Sequence, residues 1–288
     1  MINSVAIVGA THGNELSGIQ LVRNWLNSGP ASEYTTLSIQ CLLANTPAID
    51  ANTRFVEEDL NRQFSLDNLE SPSTSQEAQL AVSLNKVLGP KGDSNTDLII
   101  DIHNTTSHMG ATLIVLELDD FTIALCRYVK FHMPEAVILV EDEKPYLSHH
   151  YLCTLGKRGV MVEVGAQPQG VLRHDVFELT ETLTTTILGF CEQWNLSATL
   201  PDRPCEAFRL GHEVRFPLDG WGERTAMIHK DIQDNDFCPV KPGEPIFKAF
   251  DGGDITWEGE ETIYPHFINE AAYHKADIAF ATAKKITL

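Results

Sequence analysis

The sequence predicts an α/β fold, with a mixed β-sheet flanked by helices, followed by a smaller β-rich domain. Short apolar runs alternate with longer amphipathic segments through the first two thirds of the chain, a pattern typical of a sheet that helices cover on both faces. After about Asn195 the pattern changes, because prolines and glycines there separate short alternating runs. We therefore expect an α/β domain over residues 1–195 and a β-rich domain over residues 196–288.

The apolar periodicity places the elements in order along the chain. Strands are predicted at 4–9, 36–44, 97–103, 111–116, 136–141 and 159–164. Helices are predicted at 15–27, 73–88, about 120–131 and 174–195. The polar segment from Asn45 to Gln63 is longer than most connections between elements, which indicates a binding loop.

Composition and charge limit the classes of partner. Of the 288 residues, 43% are hydrophobic and 21% are charged, as in an ordinary soluble protein. The net charge of −19 argues against a nucleic-acid or anionic-membrane partner. A small anionic substrate would need cations in the site, because the chain as a whole repels anions. The six cysteines form no C-x-x-C pair, which favours reduced thiols. With neither a signal peptide nor a membrane span predicted, we expect a cytoplasmic protein, and a homo-oligomer stays open.

Two short motifs follow apolar strands and carry side chains typical of metal sites. The run Thr11-His12-Gly13-Asn14-Glu15 ends the first predicted strand, and Asp101-Ile102-His103-Asn104 ends the third. Ligands usually bind at such strand ends in an α/β sheet. Because His12, Glu15 and His103 match a catalytic zinc set that leaves a fourth position for water, we predict a metallohydrolase.

A carboxylate and two arginines complete this prediction. Glu163 lies inside the apolar strand 159–165, where a lone carboxylate is costly unless it is paired or functional. Burial would raise its pKa toward the range of a general base, and the alternative is a structural ion pair. Arg54 and Arg62 share the long polar segment with Asn61. The pair Asn61 and Arg62 can bind a carboxylate, and Arg54 can stabilise an oxyanion. The alternative for either arginine is a surface ion pair.

Two further side chains have open roles. Asp101 precedes His103 by two residues and so projects from the same strand face. There it would accept the second N–H of that imidazole or hydrogen-bond to a neighbouring loop. Tyr273 precedes an apolar run near the C-terminus and fits either the core or a pocket wall.

At these residues the chain resembles the aspartoacylase/succinylglutamate desuccinylase family of zinc amidohydrolases, and most closely its aspartoacylase branch. The matching segments keep the family order over nearly the whole chain, at 9–18, 59–62, 101–110, 163–173 and 264–273. Because several separate motifs match in this order, the resemblance is specific.

The resemblance implies a fold similar to that of zinc carboxypeptidases. It makes the first domain the zinc-binding catalytic domain, and it makes the C-terminal β domain a cap that narrows the active-site entrance. It implies one zinc ion per chain, with His12, Glu15 and His103 as its ligands. Glu163 is then the base and proton shuttle, and Arg54 polarises the scissile carbonyl.

The resemblance also implies where the substrate lies. Asn61, Arg62 and Tyr273 correspond to the group that binds the substrate carboxylate. Asn104 belongs to the substrate-binding set as a supporting residue of the pocket, and Glu270 is a second supporting residue.

The implied reaction is hydrolysis of an N-acyl-L-amino acid, and N-acetyl-L-aspartate, which gives acetate and L-aspartate, is the first candidate. Two positions depart from the aspartoacylase pattern, since Cys153 stands in place of a substrate-binding arginine and Asp277 in place of a lysine. Unless Lys157, Arg158 or Lys275 substitutes for them, a neutral or aromatic N-acyl amino acid fits better. Such substrates are typical of the aminoacylase-3-like branch.

Two functions of other kinds remain as alternatives. A metallocarboxypeptidase that trims peptides would use the same chemistry, but the acidic chain and the narrowed entrance favour small substrates. A zinc-stabilised binding protein would need neither Glu163 nor Arg54, so their presence argues for an enzyme.

Overall fold

The structure is a computed structural model that describes residues 1–30 and 34–288. Its strands are β1 (Ser4–Gly9), β2 (Ser38–Leu43), β3 (Leu98–Asn104), β4 (Gly110–Val115), β5 (Val137–Val140), β6 (Arg158–Gly165), β7 (Glu206–Arg215), β8 (Ala226–Ile228), β9 (Pro245–Ala249), β10 (Asp254–Thr256) and β11 (Ile278–Thr287). An eight-stranded sheet has the order β11-β7-β5-β4-β6-β3-β1-β2, and a three-stranded sheet has the order β10-β9-β8. The predicted mixed α/β fold with a β-rich C-terminal part is confirmed.

The large sheet is flanked by helices. They are α1 (Leu16–Ser28), α2 (Thr46–Ala51), α3 (Leu66–Glu70), α4 (Gln76–Leu88), α5 (Asp120–His132) and α6 (His174–Asn195). Short 3₁₀ segments occur at Leu60–Arg62, Tyr146–Ser148, Leu152–Leu155 and Ala271–Ala276. Among the described residues, no helix combines the length and the apolar character that crossing a bilayer requires.

The local predictions are wrong in the segment between β2 and α4. Residues 45–63 were expected to be a loop, but they include α2, which Asn45 caps by accepting a hydrogen bond from the Ala48 N–H at 3.3 Å. The helix predicted at 73–88 begins at Gln76, because the side chain of Ser75 caps it. Short capped helices of five or six residues are too brief to show an apolar period, so α2 and α3 escape detection.

The directions of the strands determine at which edge of the large sheet the predicted site residues lie. The strands β1, β2, β3 and β6 are parallel, so their carboxyl ends meet at one edge of the sheet. Strand β4 is antiparallel to β6, and β5 is parallel to β4. Side chains after β5 therefore approach the same sheet face from the opposite end.

The C-terminal part is joined to the large sheet. Strand β7 pairs with β5 and with β11, which extends the sheet, while β8, β9 and β10 form the small sheet. A separate apolar cluster that includes Phe216, Phe247 and Phe280 lies under the small sheet.

Candidate active site

The first motif reaches the sheet edge through a tight turn after β1. Ala10 has a left-handed backbone conformation with φ 63°, and Gly13 packs against α2 so closely that a Cβ there would lie 2.1 Å from the Ala48 carbonyl carbon. Only glycine avoids this overlap. The turn places His12 beside Glu15, the residue that precedes α1.

His12, Glu15 and His103, here called the ligand cluster, meet at one point. His12 Nδ1 lies 2.7 Å from Glu15 Oε1, and His103 Nδ1 lies 3.0 Å from Glu15 Oε2. The two Nδ1 atoms are 3.2 Å apart. All three residues are buried, and their ligand atoms lie within 4.8 Å of one another. The predicted triad is therefore brought together by two separate parts of the chain, the turn after β1 and the end of β3.

The cluster fits a divalent cation. Four-coordinate zinc with Zn–N bonds of about 2.0–2.1 Å keeps neighbouring ligand atoms about 3.3 Å apart, close to the separations in the ligand cluster. In this buried site two imidazole nitrogens and a carboxylate converge, so the lone pairs of three ligand atoms face one another and repel. A shared cation relieves that crowding, so the donor set fits zinc.

Carboxylates hold the outer nitrogen of each histidine. His12 Nε2 lies 3.0 Å from Asp59 Oδ1. His103 Nε2 lies 3.0 Å from Asp101 Oδ2, at an angle that falls short of a hydrogen bond, and neither atom has another partner among the described residues. Asp101 is fixed in turn by Thr11 Oγ1, which donates to it at 2.6 Å. Such carboxylates orient metal-binding histidines. Of the two roles left open for Asp101, the structure shows the hydrogen bond to a neighbouring loop, at Thr11, together with a close contact to His103.

The charge of Glu15 is stabilised by its neighbours. Burial alone would raise its pKa, but the two histidines of the ligand cluster lower the pKa well below its usual range. The Asn104 N–H donates to Oε2 at 3.1 Å, and Arg54 Nη1 donates to Oε1 at 3.0 Å. Arg54 also donates to Asp59 at 3.1 Å, so the guanidinium is fixed beside the ligand cluster.

Glu163 lies next to the ligand cluster on the neighbouring strand. In the register of β3 and β6 it stands opposite His103, and both side chains line one pocket. It is buried, and burial raises its pKa well above the usual range, with Glu15 and Glu270 adding to the effect. A carboxylate with a raised pKa is a stronger proton acceptor than an exposed one.

The predicted carboxylate-binding residues share this pocket. Arg62 is exposed at its edge, with its guanidinium 5.4 Å from the Tyr151 ring centroid. Asn61 is buried, and its Oδ1 accepts from the Leu152 N–H at 2.8 Å, which leaves its amide nitrogen to donate to a ligand. Tyr273 lines the pocket and packs edge-on against Phe267, so it contributes to both the core and the pocket wall.

The two predicted supporting residues, Asn104 and Glu270, are fixed by hydrogen bonds to other parts of the chain. Asn104 accepts from the Ser17 N–H and from Gln167, and donates to the Val164 carbonyl, at 2.9–3.0 Å. Its amide therefore braces the sheet edge, and because Asn104 also lines the pocket, the second N–H of its amide nitrogen is left for a substrate.

Glu270 accepts from Thr105 and from the Thr106 N–H and hydroxyl, so it ties the C-terminal part to the end of β3. This tie fixes the segment that carries Tyr273, since the Tyr273 N–H donates to the Glu270 carbonyl at 3.0 Å.

Sequence reasoning missed Glu141, Tyr151 and Asp59. Glu141 directly follows the apolar strand β5, the same signal that identified Glu163, and with Tyr151 it lines the pocket. Asp59 belongs to a matching segment, but its contact with His12 depends on how the chain folds back, which no local pattern shows.

The departures from the aspartoacylase pattern lie outside the pocket. Cys153 is buried in the core, and Asp277 pairs with Arg224 at 2.9 Å. The cations considered as substitutes do not line the pocket either. Lys157 pairs with Asp97, Arg158 pairs with Asp119, and Lys275 is exposed. Arg54 and Arg62 supply the cationic side chains of the described pocket lining.

Fold and site together define a mixed-sheet α/β protein with a buried His-Glu-His group suited to a metal ion. The succinylglutamate desuccinylase/aspartoacylase catalytic domain matches residues 1–191, and the AstE/AspA barrel-sandwich hybrid domain matches residues 203–285. The chain belongs to the succinylglutamate desuccinylase/aspartoacylase family.

Individual relatives are similar over the full length. An aspartoacylase of Xenopus tropicalis is 40% identical over 293 residues, covering 100% of this chain and 94% of the relative. A human N-acyl-aromatic-L-amino acid amidohydrolase (carboxylate-forming) is 39% identical over 292 residues, covering 99% of this chain and 92% of the relative. The crystal structure of murine aminoacylase 3 matches with a TM-score of 0.94 at 37% identity, covering 100% of this chain and 96% of that one.

Proposed function

We propose that this protein is a zinc-dependent amidohydrolase that cleaves N-acyl-L-amino acids into a carboxylate and a free amino acid. The observation that carries the proposal is the convergence of the ligand cluster, Glu163 and two arginines on one pocket. The relatives are named for two substrate classes, aspartoacylase and N-acyl-aromatic-L-amino acid amidohydrolase, so N-acetyl-L-aspartate and neutral or aromatic N-acyl amino acids are both candidates.

The metal would be held by His12 Nδ1, His103 Nδ1 and the Glu15 carboxylate. When bound, zinc supplies Lewis-acid polarisation of a carbonyl and makes water acidic enough to react near neutral pH. Asp59 and Asp101 would keep both imidazoles oriented with Nδ1 toward the ion.

The chain's own groups would carry the proton and the charge. Glu163 accepts the proton of the attacking water and returns it to the amide nitrogen as the C–N bond breaks. Arg54, fixed by Glu15 and Asp59, donates to the oxyanion that forms on the carbonyl oxygen. Because Arg54 is already oriented by two carboxylates, it needs little reorganisation when the oxyanion forms.

Arg62, with Asn61 and Tyr273, would bind the α-carboxylate. Arg62 is the pocket arginine that no carboxylate of the described residues engages, which leaves its guanidinium for a ligand. A carboxylate fixed there holds the adjacent amide in a reactive pose beside Glu163.

The C-terminal part would complete the pocket. We propose that residues 1–195 form the catalytic domain and that residues 196–288 narrow its entrance. This is supported by the pocket lining, to which the C-terminal part contributes Phe267, Glu270, Ala272 and Tyr273.

A substrate panel tests the proposed function. The zinc-loaded protein is assayed with N-acetyl-L-aspartate, N-acetyl-L-glutamate and N-acetyl-L-phenylalanine, and with blocked dipeptides that a carboxypeptidase would cleave. We expect free amino acid from at least one N-acetyl substrate and none from the dipeptides. No release across the N-acetyl panel would refute the proposal.

A further inference from the structure

The pocket has an acidic end that the proposed chemistry does not use. Glu141 is buried there, and the Tyr151 hydroxyl donates to its Oε2 at 3.2 Å. It takes part in no ion pair with another described residue. The charges of Lys144 and Arg62 reach it, but neither residue pairs with it, since Lys144 lies 3.8 Å from Glu143 and Arg62 packs over the Tyr151 ring.

Strand direction separates this carboxylate from the ligand cluster. Glu163 is on β6, whereas Glu141 follows β5 and donates its N–H to the Val115 carbonyl at 2.8 Å. Ile114 on β4 and Met161 on β6 line the pocket on the sheet face between them. The pocket therefore runs from the ligand cluster and Arg54 across an apolar floor to the acidic pair Glu141 and Tyr151, with Arg62 beside the Tyr151 ring.

This layout offers no cation for a second carboxylate of a substrate. Arg54 is bound by Glu15 and Asp59, so Arg62 is the arginine left for the α-carboxylate. A substrate side chain over the apolar floor meets Glu141 next. An anionic side chain placed there would be desolvated beside a carboxylate of the same sign, which is strongly unfavourable.

We propose that Glu141, held by Tyr151, is a specificity-determining residue that excludes a second carboxylate and so selects N-acyl-L-amino acids with uncharged side chains. This inference rests on the proposed amidohydrolase function and favours the second of its two candidate substrate classes. Repulsive elements of this kind are a common means of specificity.

The charge of Glu141 depends on pH near neutrality. Its pKa is raised to about 7, chiefly by burial and in addition by the charge of Glu143. The hydrogen bond from Tyr151 and the charges of Arg62 and Lys144 lower it, and the other titratable groups that interact with it are Cys153 and Tyr273. The carboxylate is therefore mostly ionised above about pH 7 and mostly protonated below it.

The test compares N-acetyl-L-asparagine with N-acetyl-L-aspartate, which differ in charge but hardly in shape. We expect the native enzyme at about pH 8 to prefer the asparagine compound by at least about tenfold in kcat/KM. Glu141→Gln should lower that ratio by about tenfold. Glu143→Gln removes an exposed carboxylate two residues away, outside the pocket lining, and should leave the ratio within about twofold.

A pH series on the native enzyme covers the case in which Glu141→Gln does not fold. The side chain of N-acetyl-aspartate stays ionised from about pH 6 to pH 8, so ionisations shared by both reactions cancel in the ratio. We expect the preference for asparagine to grow over this range as Glu141 loses its proton.

The outcomes separate the two proposals. Hydrolysis of neither compound nor of any other N-acyl amino acid would refute the proposed function itself. Hydrolysis with a native preference for the aspartate compound, or with a ratio that neither Glu141→Gln nor pH changes, would overturn the role of Glu141 and leave the function standing.

Discussion

The two ends of the pocket are built in different ways. At the ligand cluster each side chain has two or more partners, as His12 shows by contacting Glu15, Asp59 and His103. At the acidic end Glu141 has one described side-chain partner, the Tyr151 hydroxyl. The geometry of the ligand cluster is therefore fixed by several contacts for each side chain, whereas the carboxylate proposed to select the substrate is held by one side-chain hydrogen bond.

The largest expected effect comes from removing the base at the ligand-cluster end. Glu163→Gln keeps the shape of the side chain but cannot accept the proton, so we expect kcat to fall about 10²–10⁴-fold with zinc content unchanged. Steady-state kinetics and elemental analysis of the same preparation check this. Glu178→Gln, an exposed change on α6, is the matched control. Native-like turnover of Glu163→Gln with full metal content would remove Glu163 from its role.

A smaller effect at the same end tests the outer carboxylates. In Asp59→Asn the contact with His12 Nε2 loses its charge, so zinc affinity should fall about 10–100-fold in a competition titration with a zinc-binding dye. Asp67→Asn on the exposed surface of α3 should leave the affinity unchanged. Equal affinity in Asp59→Asn and the native protein would show that Asp59 does not orient His12.

The smallest effect on catalysis is expected at Lys91, which supports the acidic end of the pocket from outside the pocket lining. Lys91 is buried and donates from Nζ to the Phe64 and His149 carbonyls and to Thr154 Oγ1, at 2.6–2.7 Å. These contacts tie the chain just after Arg62 to the chain just before Tyr151.

Lys91→Met leaves two buried carbonyls without this donor. The free energy of unfolding should fall by about 1–3 kcal/mol, measured by urea denaturation. KM should rise with kcat nearly unchanged, because the ligand cluster does not contact Lys91. Lys86→Met, exposed on α4, is the control. A fall in kcat at constant KM would contradict the separation of the two ends.

The same comparison explains what the sequence could predict. His12 and Glu15 lie in the turn that follows the apolar strand β1, and His103 and Glu163 lie within the apolar strands β3 and β6. A local pattern therefore marks all four, and the parallel strand ends bring them together. Arg54 and Arg62 were found because they share one polar segment. These signals are local, and they suffice for the ligand-cluster end.

At the acidic end a local signal marks Glu141, but its place in the pocket depends on strand order. Glu141 reaches the pocket only because β4 turns antiparallel to β6 and carries β5 with it. Lys91 binds carbonyl groups 27 and 58 residues away, and backbone carbonyls carry no sequence signal. The sequence did flag the missing cations at Cys153 and Asp277, but their positions in the core and beside Arg224 needed the structure.

The proposed function requires that the ligand cluster hold one metal ion that the reaction needs. The most direct measurement is the zinc content and N-acyl amino acid hydrolysis of the native protein and His103→Ala, purified identically. The account predicts one zinc per chain in the native protein, and less than about one tenth of that, with no detectable hydrolysis, in the variant. Stoichiometric zinc in His103→Ala, or full hydrolysis by native protein stripped of metal, would contradict it.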